Sequence, residues 1–190
     1  MVIQNNTSLI TAKYPYGDVR RKTVNGRRHY EGEGKFLPSV TTILSQTKTK
    51  ADLAGLERWK QRVGTEQAEA IKNQAASVGT AMHKFLECHI QGVGYDDQTN
   101  IGVWRGQPAI IDFKQTNKPK IEKYVQDYFM QLAAYAMAHD ALYGTKLEAG
   151  VILMASRGMN LQIFTINGDR FDDYKYQWLK RCEKYFNLGE

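Results

Sequence analysis

Polar and apolar positions divide this chain into a first run of strands, a helical stretch, a second run of strands and two further helices. Val19 to Val24 and Arg27 to Tyr30 flank Asn25-Gly26. Asn-Gly between two strand-like runs predicts a hairpin closed by a type I′ turn. Leu37 to Leu44 predicts the start of a short helix, with Pro38 or Ser39 at its beginning. Ala51 to Val63 places Leu53, Leu56, Trp59 and Val63 near one helical face and stops at Gly64. Thr65 is the expected N-cap of a third helix, with Glu66 and Glu69 in its first turn. That helix is expected to break or meet a close neighbour at Gly79-Thr80, resume through Ile90 and stop at Gly92-Val93-Gly94.

After a polar turn over 96–100, Val103-Trp104, Arg105-Gly106-Gln107 and Pro108 to Lys114 predict a second hairpin. Glu122 to Tyr143 predicts a long helix ended by Gly144. Tyr124, Tyr128, Gln131, Tyr135, Ala138 and Leu142 form one stripe along it. Glu148 to Ala155 and Leu161 to Ile166 predict two more strands, and Asp169 is expected to cap a last helix reaching about Phe186. Phe171, Tyr174, Trp178 and Tyr185 are the buried stripe expected of that helix. This order indicates a mixed α/β domain. The chain reads as a single domain, with a basic hairpin region over 1–36 and the remainder over 37–190.

Composition narrows the class. A chain of 190 residues can bury a full core. Mean hydropathy is −0.53, and no apolar stretch is long enough to span a membrane. Residues 1–14 lack the apolar core of a secretory signal and the Arg-rich pattern of a presequence, so a cytoplasmic setting is expected. Cys88 and Cys182 are far apart and lack metal spacing, which fits reduced thiols and excludes a four-cysteine iron–sulfur cluster. A net charge of +6 and a pI near 9.2 favour a polyanionic partner. Arg20, Arg21, Lys22, Arg27 and Arg28 on the first hairpin, and Lys118 and Lys120 in a later loop, are the candidate phosphate contacts.

Three segments carry candidate chemistry. Pro108 to Lys114 reads as a buried strand ending in Asp112-Phe113-Lys114, and alternation puts Ile110, Asp112 and Lys114 on one face. A carboxylate there can hold a divalent metal, and the adjacent ammonium can orient an attacking water, which suggests phosphodiester cleavage. His83 and Glu87 are four apart on one helix face, placed either as a surface pair or as a pair aimed at a metal shell. Gln131 and Tyr135 are polar members of the aromatic stripe, either satisfied within the core or facing a ligand.

Taken together these segments resemble the PD-(D/E)XK nucleases of the RecB-like exonuclease type, the group of phage exonucleases and the mitochondrial genome maintenance exonuclease. The resemblance is carried by Leu37 to Leu44, Trp59, Arg62 to Glu66, Gly79 to Glu87, Ile110 to Lys114 and Gln131 to Tyr135. It implies a restriction-endonuclease-like core, a mixed central sheet flanked by helices, preceded by the hairpin and a helical region. It also implies a DNA exonuclease dependent on Mg²⁺ or Mn²⁺, acting as a monomer on single strands or duplex ends in phage or bacterial recombination, repair or replication. In that family the positions of His83, Asp112 and the Phe113 carbonyl lie at the metal, and that of Lys114 works on the attacking water. Glu87 matches the acid of the first motif's helix, and Gln131 and Tyr135 match the supporting motif that contacts DNA.

The chain departs from the pattern at one place. The family carries a further acid shortly before the acid–lysine strand, and that position falls near Thr99 or Asn100. Asp96 and Asp97 stand slightly upstream in a polar turn; Asp97 or Asp96 is the candidate substitute ligand, with Asn100 as a weak neutral alternative. The stretch between the His83 helix and this strand is shorter than in the family, so the chain reads as internally shortened. The alternative expectation is therefore a catalytically reduced, nuclease-like DNA-binding protein.

Overall fold

A computed structural model describes residues 14, 17, 19–91, 101–158 and 160–189, with backbone alone at 84–91, 101–104 and 189. The first hairpin pairs β1 (Arg21–Val24) with β2 (Arg27–Gly32). Asn25 and Gly26 turn it with φ of 50° and 73°, the left-handed pair that a type I′ turn requires. A second tight turn leads β2 into β3 (Lys35–Pro38), completing an antiparallel sheet in the order β1-β2-β3. Leu37 and Pro38 thus end a strand, where the sequence pattern suggested a helix start. Pro38 is tolerated because β3 is an edge strand. The helix begins two residues later, at Val40. Ser39 caps α1 (Val40–Gln46), its Oγ accepting from the Thr42 N–H at 3.2 Å.

Thr49 and Asp52 form a reciprocal capping box at the start of α2 (Lys50–Val63). None of its residues is buried, and Leu53 and Leu56 of its apolar face are exposed. Gly64, at φ 85°, separates α2 from α3 (Thr65–Gln91). Thr65 is the first residue of α3 and not its cap. The helix runs unbroken through Gly79-Thr80, and a Cβ at Gly79 would meet nothing within 4 Å. The expected break is absent because the helical pattern on both sides stays in phase, and the Thr80 hydroxyl returns to the Ala76 carbonyl.

The second sheet joins β4 (Ile101–Trp104), β5 (Gln107–Thr116), β6 (Ala149–Ser156) and β7 (Leu161–Asn167) in the order β4-β5-β6-β7. β5 and β6 are parallel and the outer pairs antiparallel. The parallel pair needs a crossover. It is supplied by a 3₁₀ turn (Glu122–Tyr124) and α4 (Gln126–Tyr143), so the long helix starts later than its pattern suggested. After β7, α5 (Gly168–Phe186) closes the domain with Asn167 at the cap position and Asp169 in the first turn.

One face of this sheet carries the main core. Ile110, Ile152, Met154 and Ile166 pack against Phe129, Leu132, Ala133 and Ala136 of α4, against Phe171, Tyr174 and Trp178 of α5, and against Ile43 and Leu44 of α1. The stripe expected of α5 is buried, with Tyr185 packed on its edge. The stripe expected of α4 holds only in its middle, since Tyr124 and Leu142 are exposed. A crossover helix covered by sheet, α1 and α5 buries more than one stripe. At Gly150 an added Cβ would lie 2.9 Å from Leu132 Cδ1, so glycine permits α4 to seat against β6. No helix among the described residues is long and apolar enough to cross a membrane.

Candidate functional site

Alternation along β5 builds the site. Ile110, Asp112, Lys114 and Thr116 face α4, while Ala109, Ile111 and Phe113 take the opposite face with Val151 and Leu153. Asp112 is only 2% exposed. A carboxylate that deep is costly without a cation, and Lys114 Nζ lies 2.6 Å from its Oδ2. The approach is off the direction a hydrogen bond requires, so Oδ2 sits beside positive charge yet has no hydrogen bond of its own. Lys114 instead donates to Gln131 Oε1 at 3.1 Å. Gln131 Nε2 in turn donates to the Tyr135 hydroxyl oxygen at 2.8 Å. The two bonds together fix the amide's orientation. Asp112, Lys114, Gln131 and Tyr135 therefore form one contiguous chain of contacts across the β5–α4 interface.

Tyr128 joins this group, although its place in an aromatic stripe suggested only a core residue. Its ring centroid is 4.9 Å from Lys114 Nζ. The signal that could have found it is its phase, one helical turn before Gln131 on the same face. Burial, and after it the charges of Asp112 and Asp127, push the Tyr128 hydroxyl above the usual tyrosine range. Burial also raises Tyr135. The Gln131 bond opposes this, Asp112 and Tyr30 add to it, and Arg28 counters it. Both phenols are neutral at pH 7 and retain an O–H to donate.

Ser39 N and Thr42 Oγ1 both donate to the Arg28 carbonyl, each at 3.0 Å, and so tie β2 to α1, which packs on α4 and α5. The five hairpin cations are all exposed. Register puts Arg21 and Arg28 on the face of Tyr30, and Arg20, Lys22 and Arg27 on the other. Arg20 is committed to Glu31 at 2.7 Å, and Arg20 and Lys22 both lie over the Phe36 ring. Beyond β5, the Lys118 carbonyl accepts from Thr116 Oγ1, and the Lys120 backbone exchanges two hydrogen bonds with the Gln162 amide.

α3 meets β5 from the side of Phe113. The His83 imidazole lies edge-on to the Phe113 ring, with centroids 6.4 Å apart. His83 thus reaches the acid–lysine strand at a residue whose side chain points away from Asp112. Glu87 lies on α3, but its side chain is outside the described residues, as are Asp96, Asp97, Thr99 and Asn100. Among the described residues, no group of three His, Cys, Asp or Glu side chains could hold a metal ion. The buried Oδ2 of Asp112, beside the Lys114 ammonium but without a hydrogen bond, is in kind the oxygen donor that a hard divalent cation prefers.

Fold and site define a mixed α/β protein with an acid–lysine pair inside a parallel strand, which runs on to Thr116 and does not end at Lys114 as its pattern suggested, supported by a helix. No family model matches the chain. It is similar to mitochondrial genome maintenance exonuclease 1 of Homo sapiens, 28% identical over 201 residues that cover 78% of this chain and 58% of that protein. The Mus musculus protein of the same name is 27% identical over 198 residues, covering 78% and 59%. The Xenopus tropicalis protein is 28% identical over 200, covering 78% and 57%. The chain thus has exonuclease-like relatives and spans less than three-fifths of their length. Since 78% of 190 residues is about 148, a match running over 201 includes about 50 positions with no counterpart here, in keeping with an internally shortened chain.

Proposed function

We propose that this protein is a divalent-metal-dependent DNA exonuclease with a RecB-like PD-(D/E)XK core. The observation that carries the reading is the buried Asp112–Lys114 contact continued through Gln131 to Tyr135, in a chain whose relatives are named exonucleases. Asp112 would hold the ion through Oδ2, with His83, the Phe113 carbonyl and Asp97 as further ligands. Bound Mg²⁺ or Mn²⁺ supplies Lewis-acid polarisation of the phosphate and a water of lowered pKa.

The remaining roles belong to this chain's own side chains. The Lys114 ammonium orients the attacking water and offsets negative charge gathering on the phosphate oxygens. Gln131 holds that ammonium in place by accepting a hydrogen bond from it. Tyr135, a neutral phenol, donates to a non-bridging oxygen of the substrate. Glu87 supports the site from α3. Arg20, Arg21, Lys22, Arg27, Arg28, Lys118 and Lys120 neutralise backbone phosphates and set the approach of the strand. The substrate is single-stranded DNA or duplex ends, met by a monomer in the cytoplasm of a bacterial or phage-infected cell during recombination, repair or replication.

A second reading has its own observation. The position of the family's further acid falls near Thr99 or Asn100, neither of which is acidic, and this favours a DNA-binding protein with reduced cleavage. End-labelled single-stranded and duplex DNA incubated with purified protein and Mn²⁺ separates the two. Degradation that stops with chelator and falls at least a hundredfold in Lys114→Ala supports the nuclease. Salt-sensitive binding without metal-dependent product supports the reduced form and overturns the first reading.

A further inference from the structure

We propose that Tyr128 is a positioning residue, whose ring face holds the Lys114 ammonium between Asp112 and Gln131. A lysine head is a compact charge on a flexible four-carbon stem, and it needs contacts on several sides to stay in one place. Gln131 fixes one N–H direction at 3.1 Å. Asp112 attracts the charge from 2.6 Å without a hydrogen bond that would define its angle. The Tyr128 ring, 4.9 Å from Nζ, supplies a further side.

The separation lies within the roughly 6 Å over which a ring face attracts a cation. The Lys114 side chain is 18% exposed, so water competes with the ring less than it does at an open surface. Tyr128 is itself braced, packed against the core and set one turn before Gln131 on α4. An aliphatic residue of similar volume would fill the space and exert no attraction, so the ring's pull is separable from its packing. The catalytic consequence of this placement rests on the nuclease reading, but the placement itself does not.

The test replaces Tyr128 by Phe and then by 4-fluoro-, 3,5-difluoro- and 3,4,5-trifluorophenylalanine, which weaken the ring face with little change of shape. Urea unfolding of each, with and without Lys114→Met, gives the coupling between the two side chains. The expected coupling is about three- to thirtyfold in the unfolding equilibrium for Phe, shrinking stepwise toward unity with fluorination. If the Lys114→Met partner does not fold, the rate of amine labelling at Lys114, read by mass spectrometry, replaces it and rises along the same series. In the Mn²⁺ cleavage assay kcat falls stepwise, KM for the oligonucleotide holds, and Tyr128→Phe restores most of what Tyr128→Leu loses. Coupling or labelling flat across the series overturns the proposal whatever the activity. A protein that cuts with kcat indifferent to fluorination overturns it as well. A protein that does not cut but shows the graded coupling loses the nuclease reading and keeps Tyr128 as the holder of Lys114.

Discussion

Replacing Lys114 by Met keeps most of the stem and removes the charge. Asp112 then remains 2% exposed, with an Oδ2 that has no hydrogen bond. Stranding one member of a buried ion pair costs about 3–5 kcal/mol. Lys114 retains 18% exposure, so water reaches the gap in part and the lower end, about 3 kcal/mol, applies. For a chain of this size each kcal/mol is worth about 2–4 °C, giving a Tm lower by about 6–12 °C. Adding Asp112→Asn removes the stranded charge, and the double variant recovers most of the loss. Urea and thermal unfolding at pH 7 in chelator, where no bound ion contributes, measure both. A Lys114→Met protein within about 1 kcal/mol of wild type, or a double variant worse than the single, refutes the reasoning that the lysine neutralises a buried carboxylate.

Gly150→Ala would drive a methyl to 2.9 Å from Leu132 Cδ1 and 3.2 Å from Ile166 Cγ1. Overpacking of about 1–3 kcal/mol should outweigh the smaller entropic gain from losing a glycine, and an unchanged or raised unfolding midpoint would show that α4 has room to move. Tyr128 and Tyr135 are both raised above the ordinary tyrosine value. Their contribution is therefore complete below about pH 10 and is lost as pH climbs through the raised folded values. Urea midpoints should fall on the alkaline side, less steeply in Tyr135→Phe, and an identical slope in that variant would count against the assignment. Arg28→Ala should lower the slope of log affinity for DNA against log salt by about 0.9. Arg20→Ala should lower it less, because Arg20 already serves Glu31. Equal slopes for the two variants would mean that the faces of the hairpin are not distinguished.

Much of this arrangement was legible in the residues, for reasons specific to each segment. Asn25-Gly26 has few alternatives to a type I′ turn, and Gly144 stops α4 by taking a left-handed φ of 63°. The pairing of Asp112 with Lys114 follows from alternation alone. The contact of Lys114 with Gln131 does not, because it depends on how the crossover helix is rotated against β5. Gly150 decides that seating, yet nothing in its immediate sequence announces it. In α2 the spacing of Leu53, Leu56, Trp59 and Val63 gave the helix but not its surroundings, since none of its residues is buried. Gly79 misled, since a single glycine inside a well-phased helix costs only about 1 kcal/mol and need not break it. Tyr128 escaped notice because an aromatic in a helical stripe has the same pattern whether it packs on leucine or on a lysine ammonium.

Under the proposed function, Asp112 is the residue on which a metal-dependent nuclease centre depends. Wild type and Asp112→Asn, compared on end-labelled single-stranded and duplex DNA across a Mn²⁺ titration, test it most directly, with a binding assay run on the same samples. The expected result is Mn²⁺-dependent release of nucleotides by the wild type, lost in Asp112→Asn while DNA binding persists. Equal products from both proteins, or binding with no Mn²⁺-dependent product from either, would contradict it.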